Sequence, residues 1–267
     1  MSAVLLIAGD SIRALLHQRL LVALMLVTLG LTVLFSVLLT EAKEWVAQNL
    51  SNAGLDQTGR LDAKNLNQMR TGIDMAGSFF MAGFYWFTAL GGTVVTLFIC
   101  ASAVATDIRR GTIRIVLAKP VSRAQFLLGK YCGAVAVMFG YSLLIGIALV
   151  LFAYANELNL NLAARYAPWL MFCHNLMVGS VALLLSLLIH PLLAAVVAYF
   201  ASATFLSSPN SLYSILPSHD RINVFTLIMA GKLITPADIA LLTLYAFVVT
   251  AIFLLLALWR FHTKELI

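Results

Sequence analysis

Two adjacent polar residues, His174 and Asn175, lie inside a long apolar run and are the first candidates for chemistry. A second apolar run carries hydroxyl groups at Thr88, Thr93 and Thr96, beside two glycines. Polar groups at membrane depth hydrogen-bond neighbouring helices, and they also line transport paths. We therefore take these five residues as a candidate substrate path, with helix packing and, for the His-Asn pair, catalysis as the alternatives.

The motifs of the common hydrolytic sites are absent from the sequence. H-E-x-x-H, G-x-S-x-G and the phosphate loop G-x-x-x-x-G-K-[ST] do not occur. Gly129-Lys130 is followed by Tyr131, and Gly231-Lys232 by Leu233, where the phosphate loop needs Ser or Thr. The sequence predicts no catalytic residue, no metal site and no nucleotide hydrolysis on this chain.

The composition points to a protein that uses lipid as part of its solvent. Of 267 residues, 62% are hydrophobic and 10% are charged, whereas soluble domains carry about 25% charged residues. A helix needs about 20 apolar residues to cross a bilayer, and open strands cannot satisfy their backbone in lipid. We predict one all-α integral membrane domain over 1–267, with His190-Pro191 forming a tight hairpin. The six predicted spans are 20–39, 79–105, 131–154, 168–189, 192–206 and 239–259.

The distribution of charge predicts the orientation. The side that holds both termini and residues 106–130 carries ten Lys and Arg against three acids, and the other side seven against eight. Cytoplasmic loops are enriched in Lys and Arg, so both termini are predicted to be cytoplasmic, in the inner or plasma membrane of the cell. The net charge of +6 then reflects topology, and no nucleic-acid partner is expected.

Three segments outside the spans have predicted roles. Residues 1–19 form an interfacial helix, or alternatively an early start of the first span. Residues 41–76 and 207–237 are external loops. The apolar face predicted for the interfacial helix comprises Leu5, Ala8, Ile12, Leu15 and Leu16.

The connection 106–130 combines positive charge with helix-start signals. Pro120 disfavours helix at the residue before it and ends the first part. Ser122 and Gln125 have the spacing of a capping box, and Val121 and Phe126 that of a hydrophobic staple. We predict a cytoplasmic helix-turn-helix elbow, in which the third span begins before the membrane. Such an elbow could set topology, hold anionic lipid or dock a cytoplasmic partner.

The elbow contains four short matches to a known signature: Gly111-Thr112, Leu117, Lys119-Pro120-Val121-Ser122-Arg123 and Leu127-Leu128-Gly129-Lys130. With these residues it resembles the cytoplasmic signature of type-2 ATP-binding-cassette (ABC) transporter permeases. Asp107 stands near the acidic position of that family, while Arg109-Arg110 departs from its Glu-containing dipeptide. The layout of an interfacial helix and six spans is also similar.

The resemblance implies an exporter subunit driven by a separate cytoplasmic ATPase, which would bind ATP and Mg, while this chain carries no cofactor. Two permease subunits, with a homodimer favoured, would form the path within membrane lipid. A polytopic scaffold or membrane enzyme is the alternative, and the substrate is not specified. The implied coupling residues are Asp107, Arg109, Arg110, Gly111, Thr112, Arg114, Lys119, Pro120, Ser122, Arg123, Gly129 and Lys130.

Overall fold

Every regular element that the structure describes is an α-helix. The computed structural model describes residues 3–16, 19–53, 63–109, 111, 121–158, 162–202 and 235–263. Within those ranges the helices are α1 (Ala3–Leu16), α2 (Arg19–Ala53), α3 (Ala63–Arg109), α4 (Arg123–Ala155), α5 (Leu162–Ser186), α6 (Pro191–Ser202) and α7 (Pro236–Thr263). The all-α prediction is confirmed for this part of the chain.

Five of the described helices are long and apolar enough to cross a membrane. Their candidate spans are Leu26–Trp45, Met75–Ile108, Arg123–Ala155, Ala164–Ser186 and Pro236–Thr263. They correspond to the first four and the last of the predicted spans. The predicted span 192–206 falls on the shorter apolar helix α6, and 203–206 lie outside the described residues. Six spans therefore remain a prediction, while the chain is a multi-pass membrane protein.

The segment 41–76, predicted as an external loop, is largely helical. α2 continues to Ala53 and α3 already begins at Ala63. At 1.5 Å per residue, the 47 residues of α3 extend about 70 Å, more than twice a hydrocarbon core of about 30 Å. Helix-forming Glu and Lys residues continue α2 past its apolar run, so helix and membrane span do not end together. Most of the other predicted loop, 207–237, lies outside the described residues.

Helix α5 lies at the centre of the bundle. Every residue from Leu170 to Leu183 is buried, which is expected for a helix that is apolar on all sides. It packs against α3, α4, α6 and α7. The turn 187–190 then reverses the chain so that α6 packs back on α5, which confirms the predicted hairpin.

Two apolar clusters divide the core along the bundle axis. One contains Val104, Phe126 and Phe261, near the end of α3, the start of α4 and the end of α7. The other contains Phe35, Phe84 and Phe152, toward the opposite end. We call the first of these ends the elbow end, because it carries the chain into and out of residues 110–122.

Candidate coupling site at the elbow end

Helix α4 begins with a complete capping box. The Ser122 hydroxyl accepts a hydrogen bond from the Gln125 amide at 3.2 Å, and the Ser122 amide donates to Gln125 Oε1 at 3.0 Å. Two amides that would have no helical partner are thereby satisfied. The predicted capping box is confirmed, and α4 therefore leaves the elbow in a defined direction. Val121 and Phe126, the predicted staple pair, belong to the same apolar cluster.

Arg123 connects the start of α4 to the end of α7. Its Nη1 atom donates to the carbonyl oxygens of Phe261 at 3.4 Å and His262 at 3.1 Å. Carbonyls of a last helical turn lack helical partners and carry the negative end of the helix dipole, so a guanidinium stabilises them. Beneath this contact, the fully buried rings of Phe126 and Phe261 stack with centroids 6.3 Å apart. The two helix ends therefore form one packed unit.

Helix α1 lies against α4 across two glycines. A Cβ atom at Gly129 would lie 2.8 Å from Ile7 Cβ, and one at Gly133 would lie 2.6 Å from Ser11 Cβ. Distances this short show that side chains at either position would displace α1. The spacing Gly-x-x-x-Gly is the pattern that lets two helix backbones approach closely. Gly129 therefore positions α1 on α4.

The face of α1 that packs on α4 includes Ala8 of the predicted apolar face but not Leu5. It includes Ile7, Ala8 and Ser11, whereas Leu5 and Leu6 are exposed. The glycine pair explains the difference, because the surface that approaches it must be flat and need not be the most apolar. Leu5 and Leu6 remain available for lipid contact, as an interfacial helix requires.

Asp107 and Lys130 form an ion pair between the end of α3 and the first turns of α4. The distance from Lys130 Nζ to Asp107 Oδ2 is 2.8 Å, and each side chain is 24% exposed. Lys130 Nζ also lies 5.8 Å from the centroid of the Phe126 ring. The ion pair spans the two helices that the elbow connects, and therefore limits how far they can separate.

Gly111 has a backbone conformation that favours glycine. Its φ angle is +69°, and its amide donates to the Ile108 carbonyl oxygen at 3.2 Å. A left-handed residue of this kind commonly ends a helix. Of the other predicted coupling residues, Arg109 is the last residue of α3. Arg110, Thr112, Arg114, Lys119 and Pro120 lie outside the described residues, so the helix-turn-helix geometry of the elbow stays a prediction.

The described part of this site can act mechanically. Arg123, the two glycines and the Asp107–Lys130 ion pair connect α1, α3 and α7 to the first turns of α4. A force applied to the elbow would reach all four helices through these contacts. Within the described ranges, no group of three or more His, Cys, Asp or Glu side chains could hold a metal ion.

The predicted substrate-path residues are all buried inside this single chain, between α3 and α5. Thr93 donates to Asn175 Oδ1 at 3.1 Å, and among the described residues the Asn175 side-chain amide nitrogen has no hydrogen-bond partner. His174 is 5% exposed. Thr96 lies in the same packed layer, 3.3 Å from where a Cβ of Gly179 would stand.

Tyr141 connects Thr88 to two further helices. Its hydroxyl donates to the Thr88 carbonyl oxygen at 3.2 Å and lies 3.3 Å from Thr28 Oγ1 on α2. The Tyr141 ring covers Gly92, where a Cβ would lie 2.6 Å from it. In this arrangement, Thr88, Thr93 and Asn175 make hydrogen bonds between helices.

Sequence reasoning missed three structural residues. Gly133, Tyr131 and Tyr141 were not singled out, although Tyr131 donates to the Leu176 carbonyl oxygen at 2.9 Å. The Gly129-x-x-x-Gly133 spacing was a readable signal for close helix contact. The tyrosines offered no such signal, because an apolar helix with a tyrosine does not reveal which neighbour accepts its hydrogen bond.

Comparison with known proteins identifies the family of this chain. Residues 10–208, about three quarters of the chain, match the family model described as ABC-2 family transporter protein. The chain belongs to the ABC-2 transporter family. The matched region includes the elbow and the candidate substrate-path residues. Members of this family are the membrane component of a transporter, so the predicted resemblance is confirmed.

One curated relative is similar to part of this chain in sequence, and its name gives no function. The "Uncharacterized protein YhcI" of Bacillus subtilis (strain 168) is 32% identical over 129 residues, which cover 46% of this chain and 40% of the relative. The chain thus matches less than half of that relative's length.

Proposed function

We propose that this chain is the permease subunit of an ABC exporter, driven by ATP hydrolysis on a separate cytoplasmic ATPase. Its elbow end docks the ATPase. The ATPase binds ATP and Mg, and this chain binds neither. The observation that carries the proposal is the connection of α1, α3 and α7 to the first turns of α4, directly beside the elbow of an ABC-2 family member.

The mechanism follows from these contacts. When ATP closes the ATPase, the elbow moves, and the capped start of α4 moves with it because Ser122 fixes its first turn. Arg123 then transmits the displacement to α7, and Gly129 and Gly133 transmit it to α1. The coupling residues act as connections between helices and take no part in bond breaking.

Transport also requires a second permease copy, and we favour a homodimer in the inner or plasma membrane with both termini cytoplasmic. The described helices keep Thr93 and Asn175 closed within one chain. A path that uses them would open by separation of α3 from α5 during the cycle. Membrane lipid surrounds the exposed leucines and valines of α2 and α7.

Co-purification with the ATPase encoded nearest to this gene tests the proposal. A basic elbow would dock on an acidic surface of the ATPase. The double charge reversal Arg114→Glu with Lys119→Glu should then reduce recovery of the ATPase about tenfold or more, because like charges at an interface cost several kcal/mol. Lys64→Glu, near the opposite end of α3, is the matched control and should leave recovery unchanged. If the unsubstituted protein recovers no ATPase, the proposal fails.

A second measurement separates docking from coupling. Arg123→Gln removes the guanidinium contact with α7 and leaves residues 106–120 of the elbow unchanged in sequence. It should still recover the ATPase, while the ATPase rate of the complex should become independent of the permease. Arg123→Lys keeps a cation at the helix end and should retain part of the dependence. Loss of ATPase recovery with Arg123→Gln would contradict the connecting role assigned to this residue.

A further inference from the structure

An apolar groove opens between α4 and α5, away from the elbow. Its volume is about 510 Å³, within the range of about 300 to 1,000 Å³ typical of small-ligand sites. Apolar side chains such as Leu143, Ile147 and Trp169 line it. None of the predicted coupling or substrate-path residues does. The groove is therefore distinct from both sites described above.

The length of the groove matches one leaflet of a bilayer. Along α4 its lining extends from Phe139 to Leu151, which is about 18 Å at 1.5 Å per residue. Half of a hydrocarbon core is about 15 Å thick. Tyr154 and Tyr166, both exposed, lie just beyond the last lining residue of α4 and next to Arg165, as aromatic side chains do at a membrane interface.

Arg165 supplies the one charge in the groove lining. It lies in the first turn of α5, is exposed, and forms no ion pair within the described part of the chain. A guanidinium beside hydrocarbon is costly unless it reaches the interface or meets an anion. Arginine also matches phosphate oxygens well, because its planar fork can donate two hydrogen bonds at once.

We propose that the groove binds one acyl chain of an anionic membrane phospholipid, whose phosphate headgroup contacts Arg165. The apolar lining takes the chain, and the cation selects the charge of the headgroup. A helix of a second copy fits less well, because a phospholipid brings its own phosphate to Arg165 and an apolar helix brings no anion. That helix would have to supply an acid for Arg165. This site does not depend on ATP coupling.

Trp169 provides a built-in reporter for the test. It lines the groove, and its Nε1 atom donates to Thr243 Oγ1 at 3.0 Å, so its ring has a defined position. Replacing Trp45, Trp86 and Trp259 by Phe leaves Trp169 as the one tryptophan. The full chain is reconstituted in phosphatidylcholine vesicles with brominated phosphatidylglycerol or brominated phosphatidylcholine, and quenching of Trp169 gives their relative binding constants.

We expect brominated phosphatidylglycerol to bind about fivefold more tightly, since about 1 kcal/mol per basic residue corresponds to that ratio. Arg165→Gln should reduce the ratio to about one, whereas Arg165→Lys should keep most of it. Equal quenching of Trp169 by both lipids while Arg165 is present, or no quenching by either lipid, would overturn the proposal. That comparison needs no variant of Arg165 to fold.

Cross-linking tests whether a second copy occupies the groove instead. Ile147→Cys is made in a Cys132→Ser background, because Cys132 is exposed while Cys100 and Cys173 are buried. Absence of a cross-linked pair of chains in native membranes supports lipid as the occupant. Efficient cross-linking through position 147 would place a second copy there and overturn the lipid site.

Discussion

The contact of α1 with α4 makes a sharp prediction for Gly133→Ala. The new Cβ would lie 2.6 Å from Ser11 Cβ and 3.1 Å from the Ala8 carbonyl oxygen. Carbon atoms attract best at about 3.5 to 4.0 Å, so α1 must move away by about 1 Å. Overpacking of this kind costs about 1 to 3 kcal/mol. We expect the free energy that holds α1 against α4 to decrease by that amount.

Gly140→Ala is the matched control. Gly140 lies on the same helix, and a Cβ there meets no atom within 4 Å. Both substitutions gain about 1 kcal/mol of helix propensity, so their difference isolates the contact with α1. Hydrogen exchange of a peptide that covers residues 3–16 should be about 5- to 150-fold faster in Gly133→Ala than in Gly140→Ala.

A compensating substitution tests the assigned cause. Ser11→Gly removes the atom nearest to the new Cβ, so the double variant with Gly133→Ala should regain part of the protection of α1. Equal exchange in Gly133→Ala and Gly140→Ala would refute the reasoning. It would mean that α1 is not held against the glycine pair in the membrane.

Three further predictions concern the elbow end. Asp107→Asn and Lys130→Gln should show a coupling of about 0.2 to 1 kcal/mol in a double-mutant cycle of unfolding, decreasing with salt, because both side chains are partly exposed; additive effects would contradict the ion pair. Gly111→Ala should cost about 1 to 2 kcal/mol for its left-handed backbone, whereas Gly9→Ala, inside α1 with open space and no positive φ, should stabilise by about 1 kcal/mol. Ser122→Ala should lower the free energy of unfolding by about 1 kcal/mol, and Ser122→Asp, which also caps, should not.

Much of the local structure was predictable from sequence because its causes are local. Ser122 and Gln125 stand three residues apart, so their capping box needs no distant partner, and the structure has it. The apolar runs predicted the five candidate spans for a similar reason, because the hydrophobic length of a segment is enough to show whether it can cross lipid. Helix ends were predicted less well, as the continuation of α2 to Ala53 shows.

Contacts between distant residues were decided by the tertiary structure. Arg123 was predicted as a coupling residue from the resemblance of the elbow, but the sequence did not indicate that its guanidinium contacts carbonyls of α7, 138 and 139 residues away. Thr93 and Asn175 were candidates for a path, and the folded chain joins them across α3 and α5.

The sequence by itself determined that this is a helical membrane protein of the ABC-2 type, with a basic, capped elbow before its third predicted span. Hydrophobic length and helix capping act within about 20 residues, and therefore can be read from the chain. The tertiary structure alone decided that Gly129 and Gly133 hold α1 and that a groove ending at Arg165 opens between α4 and α5. Those features arise from how helices pack, and periodicity specifies a buried face without specifying which helix covers it.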